Sequence, residues 1–291
     1  MSAALPASVI GQMTRCRIIS RRGTGTDKID VVSATHKGIL VTNVPDFCVE
    51  EQADHTMAML LSLIRQLGRL QARLVTGDYV SARRLSELNE RTVGKTLGLI
   101  GFGRSAHATA RRARGFGMRV IATRQDMSRT AEADALGVSL VDLGPLLRTS
   151  DYVSLHVPLT PSTYHLIDAQ AIKTMKRGAL LINTSRGALV DEPALAVALQ
   201  SGQLGGAGID TFETINVFAE TPVPPRDHRL VRLLGGDVNL ILTSHVAAGS
   251  VQAMQDVSRG AVENVAAVLQ GRWPARDRIV NLGVVPRVTL S

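Results

Sequence analysis

A chain of 291 residues is longer than one compact core of average size, so its length predicts two lobes. The composition is that of an ordinary soluble protein, 45% hydrophobic and 20% charged, with only 3% aromatic residues, too few for base-stacking nucleic-acid platforms or carbohydrate grooves. The net charge of +8, from 33 Lys and Arg against 25 Asp and Glu, is spread through amphipathic stretches such as ATARRARGFGMRV, which points to a solvated surface or attraction of small anions, with no nucleic-acid or membrane partner.

The opening MSAALPASVIGQM has no basic n-region and too weak an apolar run for a signal peptide. No later apolar run approaches the roughly 20 residues a bilayer demands. Residues 1–45 offer two strands, CRIISRR and ILVTNV. Cys16 and Cys48 form no CxxC and no zinc spacing, which predicts no metal and a reduced, cytoplasmic setting. VEEQADHTMAMLLSLIRQLGRLQARLVTG predicts one long helix, entered through Pro45–Asp46 and ended by Gly77.

After residue 95 a regular β/α alternation sets in. Buried strands are predicted at 96–101, 119–123, 152–157, 179–184, 206–210 and 240–245, with helices at 104–116, 168–176 and 192–201 between them. This is the pattern of an α/β fold: a doubly wound, parallel-sheet Rossmann domain with right-handed crossovers. A last helix runs from Ser250 to about Gln270, before a tail rich in Pro and Arg. The expected organisation is 1–45 as part of a smaller α/β substrate lobe that looks incomplete, 46–246 as the dinucleotide-binding domain, and 247–291 returning to the small lobe.

Gly101, Phe102, Gly103, Arg104, Ser105 and Ala106 follow the first of these strands and open a helix. Gly101 permits the tight turn, Gly103 lets backbone approach a pyrophosphate, and Ala106 takes the small third position. The helix N-terminus offers its N–H groups to the phosphates. At the end of the next strand, where an acidic residue would hold the ribose of NAD, stands Arg124. An arginine there suits a 2′-phosphate, with Ser128 or Arg129 assisting, so NADP is the preferred cofactor; the alternative is a surface arginine with Asp126 on the ribose of NAD.

His156, Ser185–Arg186, Asp210 and His245 all fall at or just beyond the carboxyl ends of successive strands, the edge where ligands bind in open α/β sheets. His156, before Pro158 in a loop wall that also carries Thr163, reads as structural or cofactor-facing. Arg186 and His245 suit ketone reduction. A guanidinium forks onto a substrate carboxylate and polarises the adjacent carbonyl. A histidine of near-neutral pKa donates a proton as hydride arrives. A carboxylate beside that histidine would favour its protonated form, and Glu213 and Glu220 are the two candidates.

With these residues assembled, the chain resembles the D-isomer-specific 2-hydroxyacid dehydrogenases, the group holding phosphoglycerate dehydrogenase and the glyoxylate/hydroxypyruvate reductases. The resemblance runs from RRGTGTDKID to about Gln270 through ILVTNVPDFCVEEQADHTMAMLL, LGLIGFGRSA, HVPLTPSTYHLI, INTSRGALVDEPAL, GAGIDTFE and ILTSHVAAGS. It implies that Arg186 is the substrate arginine and His245 the proton donor. It also implies Asp210 at the nicotinamide carboxamide, with Thr184, Ser185 and His156 near the cofactor, and a homodimer formed through the cofactor domain.

Three departures stand out. Arg124 is the first. The second lies in IDTFETINVFAETP: the family pattern reads D-V-F-E-x-E-P, and the position of its second glutamate in direct register is Ile215. The end of the pattern recurs at AETP, which makes Glu220 the expected partner of His245, Glu213 the first and non-catalytic glutamate, exposed to solvent, and TINVF an insertion. The third is the short stretch before RRGTGTD, which lacks strands and a substrate-gripping loop of the family and leads us to expect a true start upstream of Met1. Residues around Arg21–Thr26 and Phe47 are expected to border the pocket. The competing functional expectation is a dinucleotide-sensing or truncated, non-catalytic relative; the presence of both Arg186 and His245 favours the enzyme.

Overall fold

The computed structural model describes residues 4–128, 130–214 and 227–291. They fall into two compact units, Met1–Cys48 with Ala248–Ser291, and Val49–Ala247. The sequence placed these crossings at 45/46 and 246/247.

The first unit opens with α1 (Ala7–Gly11), β1 (Ile18–Ser20), α2 (Val31–His36) and β2 (Leu40–Thr42). Asp30 caps α2 by accepting from the Ser33 N–H. β1 and β2 pair in parallel, Ile18 opposite Leu40. Val41 joins Ile10, Ala34 and Ile39 in one small core, whereas Leu40, one position away and on the opposite face, packs with Val268 and Val284.

The second unit contains α3 (Val49–Ile64), α4 (Leu67–Val75), α5 (Tyr79–Leu85), β3 (Thr96–Ile100), α6 (Arg104–Gly115), β4 (Arg119–Thr123), α7 (Ala131–Ala135), β5 (Ser139–Leu140), α8 (Leu143–Thr149), β6 (Tyr152–Leu155), α9 (Ala169–Thr174), β7 (Ala179–Asn183), α10 (Glu192–Gln200), β8 (Leu204–Ile209) and β9 (Leu240–Leu242). Its sheet has the order β5-β4-β3-β6-β7-β8-β9, with every pairing parallel. The strands alternate between two cores. Val153, Leu155 and Leu181 face Leu146, Ile172 and Leu195 of α8–α10. Leu180 and Ile182 face the opposite core with Met57, Leu60 and Ala106 of α3 and α6. The chain starts at β3, winds outward to β5, then returns past β3 to β6, so the crevice outside the β3 and β6 carboxyl ends is the topological switch point. The chain re-enters the first unit before α11 (Val251–Leu269), capped by Ser250 Oγ accepting from Ala253 N–H.

Two expectations need correction. The long predicted helix is two helices, because Gln66 adopts a left-handed conformation, φ 54°, between α3 and α4. Its side-chain amide donates to Leu85 O and Asn89 Oδ1, so the break is held by the segment around α5, which no local propensity announces. Among the described residues the sheet has seven strands where six were predicted; β5 is two residues long and carries no buried hydrophobic run. Among the described residues no helix is long and apolar enough to cross a membrane.

Candidate active site

The first arm of the site is the turn after β3. Gly101 has φ 95°, and a Cβ there would lie 2.5 Å from His156 O, so the residue is fixed both by conformation and by the close pass of the loop after β6. Gly103 is the N-cap of α6, no side chain caps it, and a Cβ there would meet nothing within 4 Å. The first N–H groups of a twelve-residue helix are therefore left without a side-chain cap, beside open space at Gly103. Ala106, fully buried, lets α6 lie close to the sheet, and Phe102 packs into the same core. These features fit a dinucleotide pyrophosphate.

His156 is held at both ring nitrogens, with Ser105 Oγ 3.2 Å from Nδ1 and Ser154 Oγ 3.0 Å from Nε2. Burial pushes its pKa down to about 4. It is therefore a neutral hydrogen-bonding group near pH 7 and no source of protons there. The loop beyond is closed by Thr163, whose hydroxyl donates to Pro158 O at 2.7 Å and accepts from Thr160 N–H at 2.8 Å.

Arg124 lies just beyond β4, as the motif requires, and its Nη1 is 2.9 Å from Glu132 Oε2 on α7. Asp126 is occupied locally: its Oδ1 accepts from Ser128 N–H and Oγ–H. Arg129 lies outside the described residues.

The second arm follows β7. Asn183, fully buried, accepts from Ser185 N–H and donates to Arg186 O, which ties residues 183–186 into a turn. Ser185 Oγ donates to Leu155 O of the neighbouring strand. From α3, Thr56 Oγ1 meets Thr184 Oγ1 at 3.0 Å, and Gln52 donates to Thr184 O. Arg186, half-buried, places Nη1 2.8 Å from Ser185 O. Behind it, a Cβ on Gly187 would stand 2.0 Å from Phe212 C and 2.2 Å from Glu213 N, so the arginine turn and the strand leaving β8 touch backbone to backbone.

The third arm is Asp210 with His245. Asp210 N–H donates to Asn183 O, and His245 N–H donates to Asp210 O, linking the ends of β7, β8 and β9 in one ladder. His245 is left-handed, φ 59°, a conformation a histidine adopts only where surroundings enforce it. The enforcement is visible: the fully buried Asp210 carboxylate accepts from Val246 N–H at 2.9 Å and Ala247 N–H at 3.0 Å. Two successive amides after a left-handed residue make an anion-binding concavity, and here the anion belongs to the chain itself. Thr243 Oγ1 donates to the same carboxylate at 2.6 Å.

Glu213 is not the solvent-exposed residue the sequence suggested. Tyr164 Oη donates to its Oε1 at 2.9 Å, and His165 Nε2 is 3.0 Å from both its oxygens. Its backbone N–H is accepted by Glu192 Oε1, and Glu192 Oε2 holds His228 Nε2 at 3.0 Å in an almost fully buried pair. Glu220 lies outside the described residues. Sequence reasoning also missed Gln52, Thr56, Asn183, Glu192, His228 and Thr243. The available signal was faint: polar residues within otherwise apolar helix faces or at strand ends.

The sequence profile of the D-isomer specific 2-hydroxyacid dehydrogenase NAD binding domain matches residues 57–247. The chain belongs to that family. It is 38% identical over 286 residues to a glyoxylate reductase of Korarchaeum cryptofilum, covering 97% of this chain and 81% of the relative. It is likewise 38% identical over 259 residues to a hydroxypyruvate reductase of Thermotoga maritima, covering 89% of this chain and 79% of the relative. Among solved structures, D-lactate dehydrogenase from Aquifex aeolicus, complexed with NAD and lactic acid, superposes with a TM-score of 0.83 at 32% identity, covering 95% of this chain and 83% of that one. As a member of this family the chain is a D-2-hydroxyacid dehydrogenase, an NAD(P)-dependent oxidoreductase of small 2-oxo and 2-hydroxy acids.

Proposed function

We propose that this dehydrogenase reduces a small 2-oxo acid of the glyoxylate or hydroxypyruvate kind, with Arg186 binding substrate and His245 donating the proton. One observation supports this above others: the Asn183–Asp210–His245 backbone ladder sets Arg186 and His245 at ends of strands two places apart, a separation of about 10 Å between strand axes that a small acid spans between two long side chains. The Arg186 fork takes the substrate carboxylate and draws electron density from the neighbouring carbonyl. His245 gives its proton to the carbonyl oxygen and is reprotonated from solvent. Bound nicotinamide supplies the hydride. Asp210 is the proposed partner of the carboxamide, which must reach a carboxylate that is fully buried and already accepts from Ala247 N–H at Oδ2. Thr184, Ser185, His156, Pro158 and Thr163 line the approach, and Glu220 is the proposed partner of His245.

The test is oxidation of NADPH and NADH by the purified chain with glyoxylate, hydroxypyruvate, pyruvate and phenylpyruvate. Turnover is expected, with NADPH ahead. A folded protein that binds dinucleotide and turns over none of the four acids overturns the reading in favour of a non-catalytic relative.

The NADPH preference rests on Arg124 beyond β4, and Glu132 sets its limit, since a 2′-phosphate must displace that carboxylate from the guanidinium. Arg124→Asp should move the NADPH:NADH ratio of kcat/KM toward NADH by about tenfold or more, whereas Glu132→Gln should move it toward NADPH by roughly fivefold, the scale of a half-exposed ion pair. An unchanged ratio in both variants removes Arg124 from cofactor selection.

Homodimerisation is supported by α4, which buries none of its residues, and by the apolar Leu74, Val75, Tyr79 and Val80 left exposed along α4 and α5. The thiols of Cys16 and Cys48 accord with a cytoplasmic setting.

A further inference from the structure

We propose that His55, on α3, is a positioning residue of the reaction, acting through Thr243 and Asp210 on the turn that presents His245. The proposal rests on His245 being the proton donor.

The geometry leaves His55 one role. Its Nε2 lies 3.1 Å from Thr243 Oγ1 and 3.6 Å from Asp210 Oδ1. The Thr243 hydroxyl has one proton, and the carboxylate 2.6 Å away, an acceptor only, takes it. Thr243 therefore meets His55 as an acceptor, so His55 carries hydrogen on Nε2 and donates. The chain of donation is His55 to Thr243, Thr243 to Asp210 Oδ1, with Asp210 accepting in turn from Val246 and Ala247 N–H. Its far end is the left-handed residue His245.

The arrangement matters because a left-handed histidine is strained and persists only where neighbours over-determine it. The two amides that hold it converge on one carboxylate, and Thr243 donates to the same Oδ1 that accepts from Val246 N–H. Thr243 is oriented by its own backbone N–H, which donates to Ile209 O, and by the His55 ring. His55 is partly exposed, 22% at the side chain, and its removal leaves room for water, so the helix does not depend on it for packing. What it contributes is direction: without the His55 donor, the Thr243 hydroxyl is held by the carboxylate alone, and the Asp210 carboxylate is less tightly oriented.

Two variants separate this role from a generally structural one. His55→Leu removes the donor; His55→Gln keeps an N–H donor at nearly the same reach. In His55→Leu, kcat should fall by up to about tenfold, the upper scale of one net hydrogen bond between neutral groups, while substrate KM, the NADPH dissociation constant and the thermal midpoint stay within twofold or a few degrees of the parent. His55→Gln should recover kcat to within about threefold. Amide hydrogen exchange over residues 243–248 should quicken in His55→Leu and return toward the parent in His55→Gln. Unchanged kcat with unchanged exchange overturns the proposal, as does a Gln variant as impaired as the Leu variant, or a fall in kcat matched by a fall in thermal midpoint. Exchange is read whether or not the protein reduces a 2-oxo acid. Altered exchange without any parent activity therefore refutes the functional reading and leaves the brace standing, and unaltered exchange in an active enzyme refutes the brace.

Discussion

Arg186→Ala should lower kcat/KM for the best 2-oxo acid by about 10²–10³-fold, the loss seen when one pre-organised donor to a developing negative charge is removed. The guanidinium is expected both to hold the carboxylate and to polarise the carbonyl, so KM should rise and kcat fall together. NADPH binding, followed by fluorescence, should stay within twofold, because the α6 N-terminus and the Gly101 turn lie across the sheet on β3. Arg186→Lys should recover only a small part, because an ammonium keeps the charge and loses the planar fork. Parent-like activity in the alanine variant would remove Arg186 from the reaction. The variant should fold, since the turn is tied by Asn183 and Ser185 side chains and by the Arg186 carbonyl, none of which the substitution touches.

Gly187→Ala, one residue along, should behave in the opposite way and damage the fold first. The new methyl would stand 2.0 Å from Phe212 C and 2.4 Å from Phe212 O, against backbone that cannot rotate away. Overpacking of this sort costs about 1–3 kcal/mol or more, and the strain falls on the strand exit that carries Asp210 and Glu213. A loss of roughly 2 kcal/mol or more of unfolding free energy, read as a lower urea midpoint at an unchanged m-value, is expected, together with loss of activity. Because Gly187 does not have a positive φ, the demand is for space alone. If Gly187→Ala unfolded at the parent midpoint, the backbone contact between the two turns would not be real.

Arg186 and Gly187 both sit on the same ladder of strand ends, and the sequence announced much of it. The β/α alternation after residue 95, the GFGRSA turn and four polar residues at strand ends were enough to place Arg186, Asp210 and His245 on one edge of a parallel sheet, because those signals are local: strand length, a turn's need for glycine, and the period of apolar residues. The family resemblance added roles for residues that position alone could not assign. β5 escaped notice because one exposed serine and one partly buried leucine leave no apolar run. The α3–α4 break escaped because Gln66 is turned by partners nineteen and twenty-three residues away.

Other assignments were decided only once the chain had folded. Glu213 looked like a surface residue, yet Tyr164 and His165, almost fifty positions earlier, claim its carboxylate. Arg124 was read as open to a phosphate, and a helix one turn long places Glu132 against it. Asp210 was read as facing the cofactor, and in the folded chain its carboxylate is the anion around which the His245 turn is wound. Six of the strands, the glycine turn after β3 and the sheet edge proposed for the chemistry were legible in the chain, since each is written in the spacing of neighbouring residues. Which acid pairs with which base, and which carboxylate braces the histidine, was settled by the tertiary structure alone, because those partners are brought within 3 Å by crossovers that no local pattern encodes.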